Sequence, residues 1–274
     1  DDVSPYRVVR ELRGQSRFAA RTGSQLSTFI GRSEELDSLN HRWSRAQGGE
    51  GQVALIAGVP GIGKSRLLQE LIENLGTGPA GSVLFQCSPD HENSAFYPVI
   101  SGFERMLEFT GSMSPQMRSD RLSEHLQAFG AREKGDLDFL FAFLGIDSGG
   151  ANIESDMEGP ARRRERTLRV LVDYVISRAA VSPLVCVIED VHWADPSTNE
   201  LISRLVNAIE DQKVFLVLTT RPDYQAGWTD FPHAQVLTLS RLGRIEGAEL
   251  AEAVAVATSQ LNPETLKEIL ARGE

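Results

Sequence analysis

Eight consecutive residues constrain this chain more than any others: Gly58-Val59-Pro60-Gly61-Ile62-Gly63-Lys64-Ser65. They match the spacing G-x-x-x-x-G-K-[ST] at every fixed position. A short apolar run, Val53-Ala54-Leu55-Ile56-Ala57, comes just before them and suits a buried parallel strand. Leu67, Leu68, Leu71, Ile72 and Leu75 follow at helical spacing, and Gly76 stops that pattern. Strand, glycine turn and helix is the context the motif requires. Its glycines let the backbone curl so that several N–H groups face one centre. The helix adds its positive N-terminal end. At that centre Lys64 is a point charge for β- and γ-phosphates, and Ser65 offers a hydroxyl to Mg²⁺. Val59, Pro60, Ile62 and Arg66 complete the candidate binding segment.

The remaining pattern predicts further strands alternating with helices. Strands are expected at residues 82–87, 184–189, 214–220 and 235–239. Helices are expected at 97–109, 120–129, 136–144, 161–180, 245–257 and 263–271. Ser33 reads as the N-cap of a first helix bearing Leu36, Leu39 and Trp43, ended by Gly48-Gly49. Asp195-Pro196 reads as a second cap, with proline at the first helical position. Residues 1–28 read as a linker with a short strand at 6–9, and 147–159 as a loop. Such alternation implies an α/β fold with a parallel sheet covered on both faces.

Three more segments carry candidate chemistry. The strand Leu184-Val185-Cys186-Val187-Ile188 ends in Glu189-Asp190, where one carboxylate suits a metal ion and its neighbour suits a water molecule. The residues do not decide which acid does which. The strand 214–220 ends in Thr220-Arg221, at the edge where parallel sheets meet ligands. Thr220 suits the placing of a water. Arg221 suits either a γ-phosphate or a surface acid. Phe29-Ile30-Gly31-Arg32 suits either a turn around a base or plain packing. His192 is a candidate phosphate sensor, and Trp193 reads as a packing residue. The cluster Arg162-Arg163-Arg164-Glu165-Arg166 reads as a solvated face, with a finger reaching a second subunit as the alternative. Because cations at a helix start oppose its dipole, either a partner or nearby carboxylates would account for them.

Composition narrows the partners. The net charge is −10, which argues against a general nucleic-acid surface. No apolar run reaches the roughly 18 residues of a membrane span, and residues 1–5 show no secretion signal. The first residue is Asp1, so the chain reads as a piece of something longer. Cys87 and Cys186 lie in or at the end of apolar runs and read as buried thiols, which suits a reducing, cytoplasmic setting.

With these residues quoted, the chain resembles the STAND-class ATPases of the AAA superfamily. The likeness rests on Phe29-Ile30-Gly31-Arg32, the glycine-rich motif, the block Val187 to Thr198, and Thr219-Thr220-Arg221-Pro222. Similar modules are fused to class III adenylate/guanylate cyclase domains or to LuxR-type DNA-binding domains. Tyr6-Arg7-Val8-Val9 through Arg17-Phe18 resembles the linker leaving such a cyclase domain. The resemblance implies a P-loop NTPase three-layer αβα sandwich with a five-stranded parallel sheet in the order 5-1-4-3-2. That order sets the strands of Cys87 and Cys186 side by side. It also implies a linker at 1–28, a nucleotide-binding domain at 29–242 and the start of a helical domain at 243–274.

The implied function is an ATP-binding, slowly hydrolysing switch, with ATP/ADP and Mg²⁺ bound. Its implied partners are adjoining domains of the same polypeptide and further copies on activation. Carried over, Lys64 and Ser65 hold phosphate and Mg²⁺, Glu189 and Asp190 form the metal and water pair, and Arg221 senses the γ-phosphate. Three other readings stand beside it: a small-molecule phosphotransferase, a DNA-loading module, and a scaffold that binds ATP without hydrolysis.

Overall fold

A computed structural model describes residues 29–76, 81–128, 134–146 and 159–258. The expected linker at 1–28, the loop at 147–158 and the helix at 263–271 lie outside these residues. In chain order the described elements are α1 (Ser33–Gln47), β1 (Gln52–Ala57), α2 (Lys64–Leu75), β2 (Ser82–Gln86), α3 (Tyr97–Met106), α4 (Pro115–Gln127), α5 (Lys134–Phe143), α6 (Pro160–Val181), β3 (Leu184–Glu189), α7 (Pro196–Ala208), β4 (Val214–Thr220), β5 (Ala234–Thr238) and α8 (Arg244–Thr258).

The strands form one parallel sheet in the order β2-β3-β4-β1-β5. This is the expected order read from the opposite edge. Every residue of β1, β3 and β4 is buried, which is why those strands read as unbroken apolar runs. Alternate side chains then feed two cores. Ile56, Val187, Phe215 and Val217 meet Leu39 and Trp43 of α1 and Leu67 and Leu71 of α2. Leu55, Cys186, Leu216 and Leu218 face the opposite way, toward a core shared by α3, α6 and α7. Each large side chain buried there contributes about 1.5–3 kcal/mol. Gly102, mid-helix in α3, marks the closest approach of helix and sheet: a Cβ there would lie 2.3 Å from Phe85 Cδ1.

Several local readings shift. Arg32, not Ser33, is the cap residue of α1. It adopts φ 63° and makes no side-chain cap bond, so Ser33 is the first helical residue. Helix α3 ends at Met106, with Glu108 at φ 51° breaking its continuation. Helix α4 starts earlier than expected, because Ser114 caps it through the Met117 N–H (3.2 Å) with Pro115 at its start. Helix α3 opens at Tyr97-Pro98, where its apolar spacing placed the start. The Asp195 cap is as read: its carboxylate accepts from the N–H groups of Ser197 (2.9 Å) and Thr198 (3.1 Å) and from the Thr198 hydroxyl.

Strands β2 and β3 are neighbours, and Cys87 and Cys186 are buried and not joined in a disulfide. Burial pushes the Cys186 thiol up to about 12, against the opposing pull of Arg178. A polar cluster lies behind it. Arg178, only 2% exposed, donates to Tyr174 Oη (3.3 Å) and Met106 Sδ (3.6 Å), and His125 Nε2 lies 2.8 Å from the same Tyr174 oxygen. Burial first, and Arg178 second, hold His125 down at about 4.

Candidate functional site

The site is built at the carboxyl ends of β1, β3 and β4. Residues 58–63 leave β1 and turn into α2, whose cap residue Gly63 has φ 105°; Gly61 has φ 81°. Those angles disfavour residues with side chains, and no neighbouring atom lies within 4 Å of where either Cβ would be. The turn is therefore open on the side its glycines face. Lys64 is 92% buried, and its Nζ donates to the carbonyl oxygens of Gly58 (2.7 Å) and Val59 (3.2 Å). Burial lowers its pKa, Asp190 opposes that shift and Arg221 adds to it. One ammonium, one carboxylate and one guanidinium thus act on the same space.

Ser65, on the first turn of α2, donates its hydroxyl to Glu189 Oε2 (3.3 Å). Glu189, the last residue of β3, is 2% exposed. Asp190 follows at φ 58° and opens a short 3₁₀ turn, Val191–Trp193. Its N–H donates to Thr219 Oγ1 (2.9 Å). Thr219 is a functional candidate that the sequence reading passed over in favour of Thr220. The strand alternation was the available signal. Thr219 shares a face with Phe215 and Val217, the face toward α2, whereas Thr220 follows Leu216 and Leu218 toward the other core. The Thr220 hydroxyl is buried without a hydrogen-bond partner among the described residues. Ser65, Glu189 and Asp190 form an all-oxygen set, the donor chemistry Mg²⁺ prefers, so these residues fit that ion.

The Arg221 guanidinium stacks over the Trp193 indole, 5.1 Å from the ring centroid. The His192 ring packs 4.3 Å from the same indole. Neither ring nitrogen of His192 has a hydrogen-bond partner among the described residues. Burial chiefly lowers its pKa, Arg221 and Lys64 reinforce that, and Asp190 and Asp223 oppose it.

The turn at 29–32 lies beside the loop. Arg32 donates to the carbonyl of Ile62 (3.4 Å) and to that of Ser240, and pairs with Glu35 (2.9 Å). Its charge is therefore held in protein contacts. Phe29 packs under Arg66, which also pairs with Glu70 (2.8 Å). Ile30 is half-buried. A Cβ on Gly31 would approach Leu242 Cδ2 to 2.9 Å and Glu246 to 3.2 Å. Residues 240–246, at the carboxyl end of β5, thus pack against this turn, a neighbour that the sequence reading did not include. The arginine cluster at the start of α6 has carboxylates beside it. Arg164 pairs with Glu200 (2.6 Å), and Arg204 joins Glu165 and Glu200 (both 2.7 Å).

Comparison with known proteins fits this geometry. A family profile described as an AAA ATPase domain matches residues 28–218, which take in the glycine turn, the acid pair and most of β4. The chain belongs to the AAA ATPase domain family. An uncharacterized protein of Rhizobium meliloti (strain 1021) is 31% identical to this AAA domain over 244 residues, 88% of the chain. The chain spans 23% of that relative's length. Among solved structures it is similar to a chain of the E. coli MS115-1 HORMA:CdnC:Trip13 complex, with 12% identity and a TM-score of 0.46 over 89% of this chain and 73% of that one. It is also similar to a STAND protein with a tetratricopeptide repeat sensor from Pyrococcus horikoshii, with 14% identity and a TM-score of 0.41 over 90% and 28%. Among the described residues no helix of the AAA domain is long and apolar enough to cross a membrane.

Proposed function

We propose that this AAA domain is an ATP-binding, slowly ATP-hydrolysing regulatory switch within a multidomain signalling protein. The carrying observation is the contact between Ser65 and Glu189, 124 positions apart, at the first turn of the helix behind the glycine loop. A hydroxyl, a carboxylate and a buried ammonium are gathered where backbone N–H groups and a helix end favour phosphate.

In this reading the loop amides and Lys64 hold the β- and γ-phosphates, with Lys64 exchanging its loop carbonyls for phosphate oxygens. Mg²⁺, bound through Ser65, Glu189 and Asp190, supplies neutralisation of phosphate charge. One carboxylate of the Glu189-Asp190 pair orients the attacking water and accepts its proton. Arg221 offsets negative charge on the terminal phosphate, and ATP and water become ADP and phosphate. Phe29, Ile30 and Arg32, with residues 240–246 packed against their turn, shape the base end.

Residues 29–242 act as the nucleotide-binding unit, 1–28 as a linker from an upstream domain and 243–274 as the start of a helical one. The output is an attached cyclase or transcription-regulator domain, freed or assembled as bound ATP becomes ADP; that the chain spans only a fraction of its relative's length favours such a setting. The −10 charge speaks against nucleic acid as a direct partner. Two buried cysteines without a disulfide suit the cytoplasm.

The test is to quantify nucleotide carried by the purified chain and then its turnover with and without Mg²⁺. Retained ADP or ATP with slow, Mg²⁺-dependent hydrolysis is expected. Binding without hydrolysis would leave the scaffold reading, turnover raised by a small hydroxyl acceptor the phosphotransferase, and turnover raised by DNA the loader.

A further inference from the structure

A buried or half-buried arginine is usually neutralised by a carboxylate. Arg221 is not. Among the described residues its guanidinium has no hydrogen-bond or ion-pair partner, and it lies on the face of Trp193 instead. A carboxylate would occupy the N–H edge of the guanidinium and would have to be displaced by any phosphate. An aromatic face holds the cation through its π cloud and leaves all five N–H donors at the rim.

The platform is also fixed. The backbone N–H of Trp193 donates to the Asp190 carbonyl (2.9 Å), and its indole packs against the core. The Arg221 carbonyl accepts from the Tyr224 N–H (3.2 Å), and Tyr224 Oη donates to Asn199 Oδ1 (2.9 Å) on α7. The turn after β3 thus carries both Asp190 and the indole, and Arg221 opens the hydrogen-bonded turn after β4.

We propose that Trp193 is the positioning residue that presents Arg221 to the terminal phosphate and so gives the site its preference for a triphosphate over a diphosphate. The inference rests on the nucleotide reading above and names a part of that same site which the sequence reading treated as packing.

The experiment compares dissociation constants for a non-hydrolysable ATP analogue and for ADP in the wild type, Arg221→Ala, Trp193→Leu and Trp193→Phe, each checked by circular dichroism. Leucine keeps apolar bulk and removes the π face; phenylalanine keeps a face. The analogue-to-ADP preference should fall about three- to thirty-fold in Trp193→Leu, the range of a cation–π contact. It should fall less in Trp193→Phe and at least as far in Arg221→Ala. If Arg221→Ala loses the preference and Trp193→Leu keeps it, the role given to Trp193 is wrong and that of Arg221 stands. If Arg221→Ala keeps the preference, the reading of Arg221 itself fails.

The wild-type chain gives a reading that needs no folded Trp193 variant. Its other tryptophans, Trp43 and Trp228, are buried in the two cores. The analogue should change indole emission and ADP should not, and the change should vanish in Arg221→Ala. Emission that responds equally to both nucleotides overturns the proposal.

Discussion

Replacing Lys64 by alanine should remove most of the thermal protection that nucleotide gives this chain. Ligand at one hundred times its Kd stabilises a folded protein by about 2.7 kcal/mol. In a domain of this size that raises Tm by about 5–11 °C. Lys64 Nζ already donates to Gly58 O and Val59 O, so phosphate binding exchanges these bonds for stronger ones to charged oxygens. Taking the net gain as about 2 kcal/mol, from the 1.5–3 of a hydrogen bond to a charged group, affinity falls about thirty-fold. At the same ligand concentration the protection then shrinks to about 0.9 kcal/mol, a Tm rise of about 2–4 °C. The nucleotide-free Tm should move less than this difference, because removing a buried ammonium also removes its desolvation penalty and so offsets the two lost carbonyl bonds. The assay is scanning fluorimetry of both proteins across a nucleotide titration. An equal ligand-induced rise in the variant would refute the placement of phosphate at this loop.

Asp190→Ala should retain ATP and lose hydrolysis by about two to four orders of magnitude, the usual contribution of general base catalysis; turnover equal to the wild type in a phosphate-release assay removes Asp190 from the mechanism. Asp195→Ala deletes a buried cap with three donors and should cost about 2–4 kcal/mol in urea unfolding, whereas Asp195→Asn, which keeps a cap acceptor, should cost clearly less. His125 has a folded pKa of about 4 against 6.5 when unfolded, so the unfolded chain binds the extra proton. Its contribution is whole above pH 6.5 and is lost as pH falls toward 4, and His125→Asn should flatten the pH dependence of unfolding across that window; an unchanged slope contradicts it.

The sheet was legible because β1, β3 and β4 are buried on both faces and so read as plain apolar runs. The loop was legible because a phosphate cradle needs small residues and one lysine at fixed spacing. Helix ends were less so. Arg32 reaches a left-handed backbone angle where a serine cap was the better sequence signal, and what holds it is a set of carbonyls on Ile62 and Ser240, far off in the chain. Thr219 was hidden because its hydroxyl serves an amide 29 positions away. The π contact of Arg221 was hidden for the same reason: Trp193 and Arg221 meet only once β3 and β4 lie side by side.

The strand that leads into the glycine loop has β4 on one side and β5 on the other. Both partners are synthesised more than 150 residues after it. At typical elongation speeds β1 waits roughly eight to thirty seconds on the ribosome before either neighbour emerges. Throughout that interval an uninterrupted hydrophobic segment has no edge to join, so the nascent chain is blind to nucleotide and open to mispairing. Mutations that slow translation before residue 214, or that starve the cell of holding chaperones, should therefore lower the yield of this chain more than its final stability would suggest.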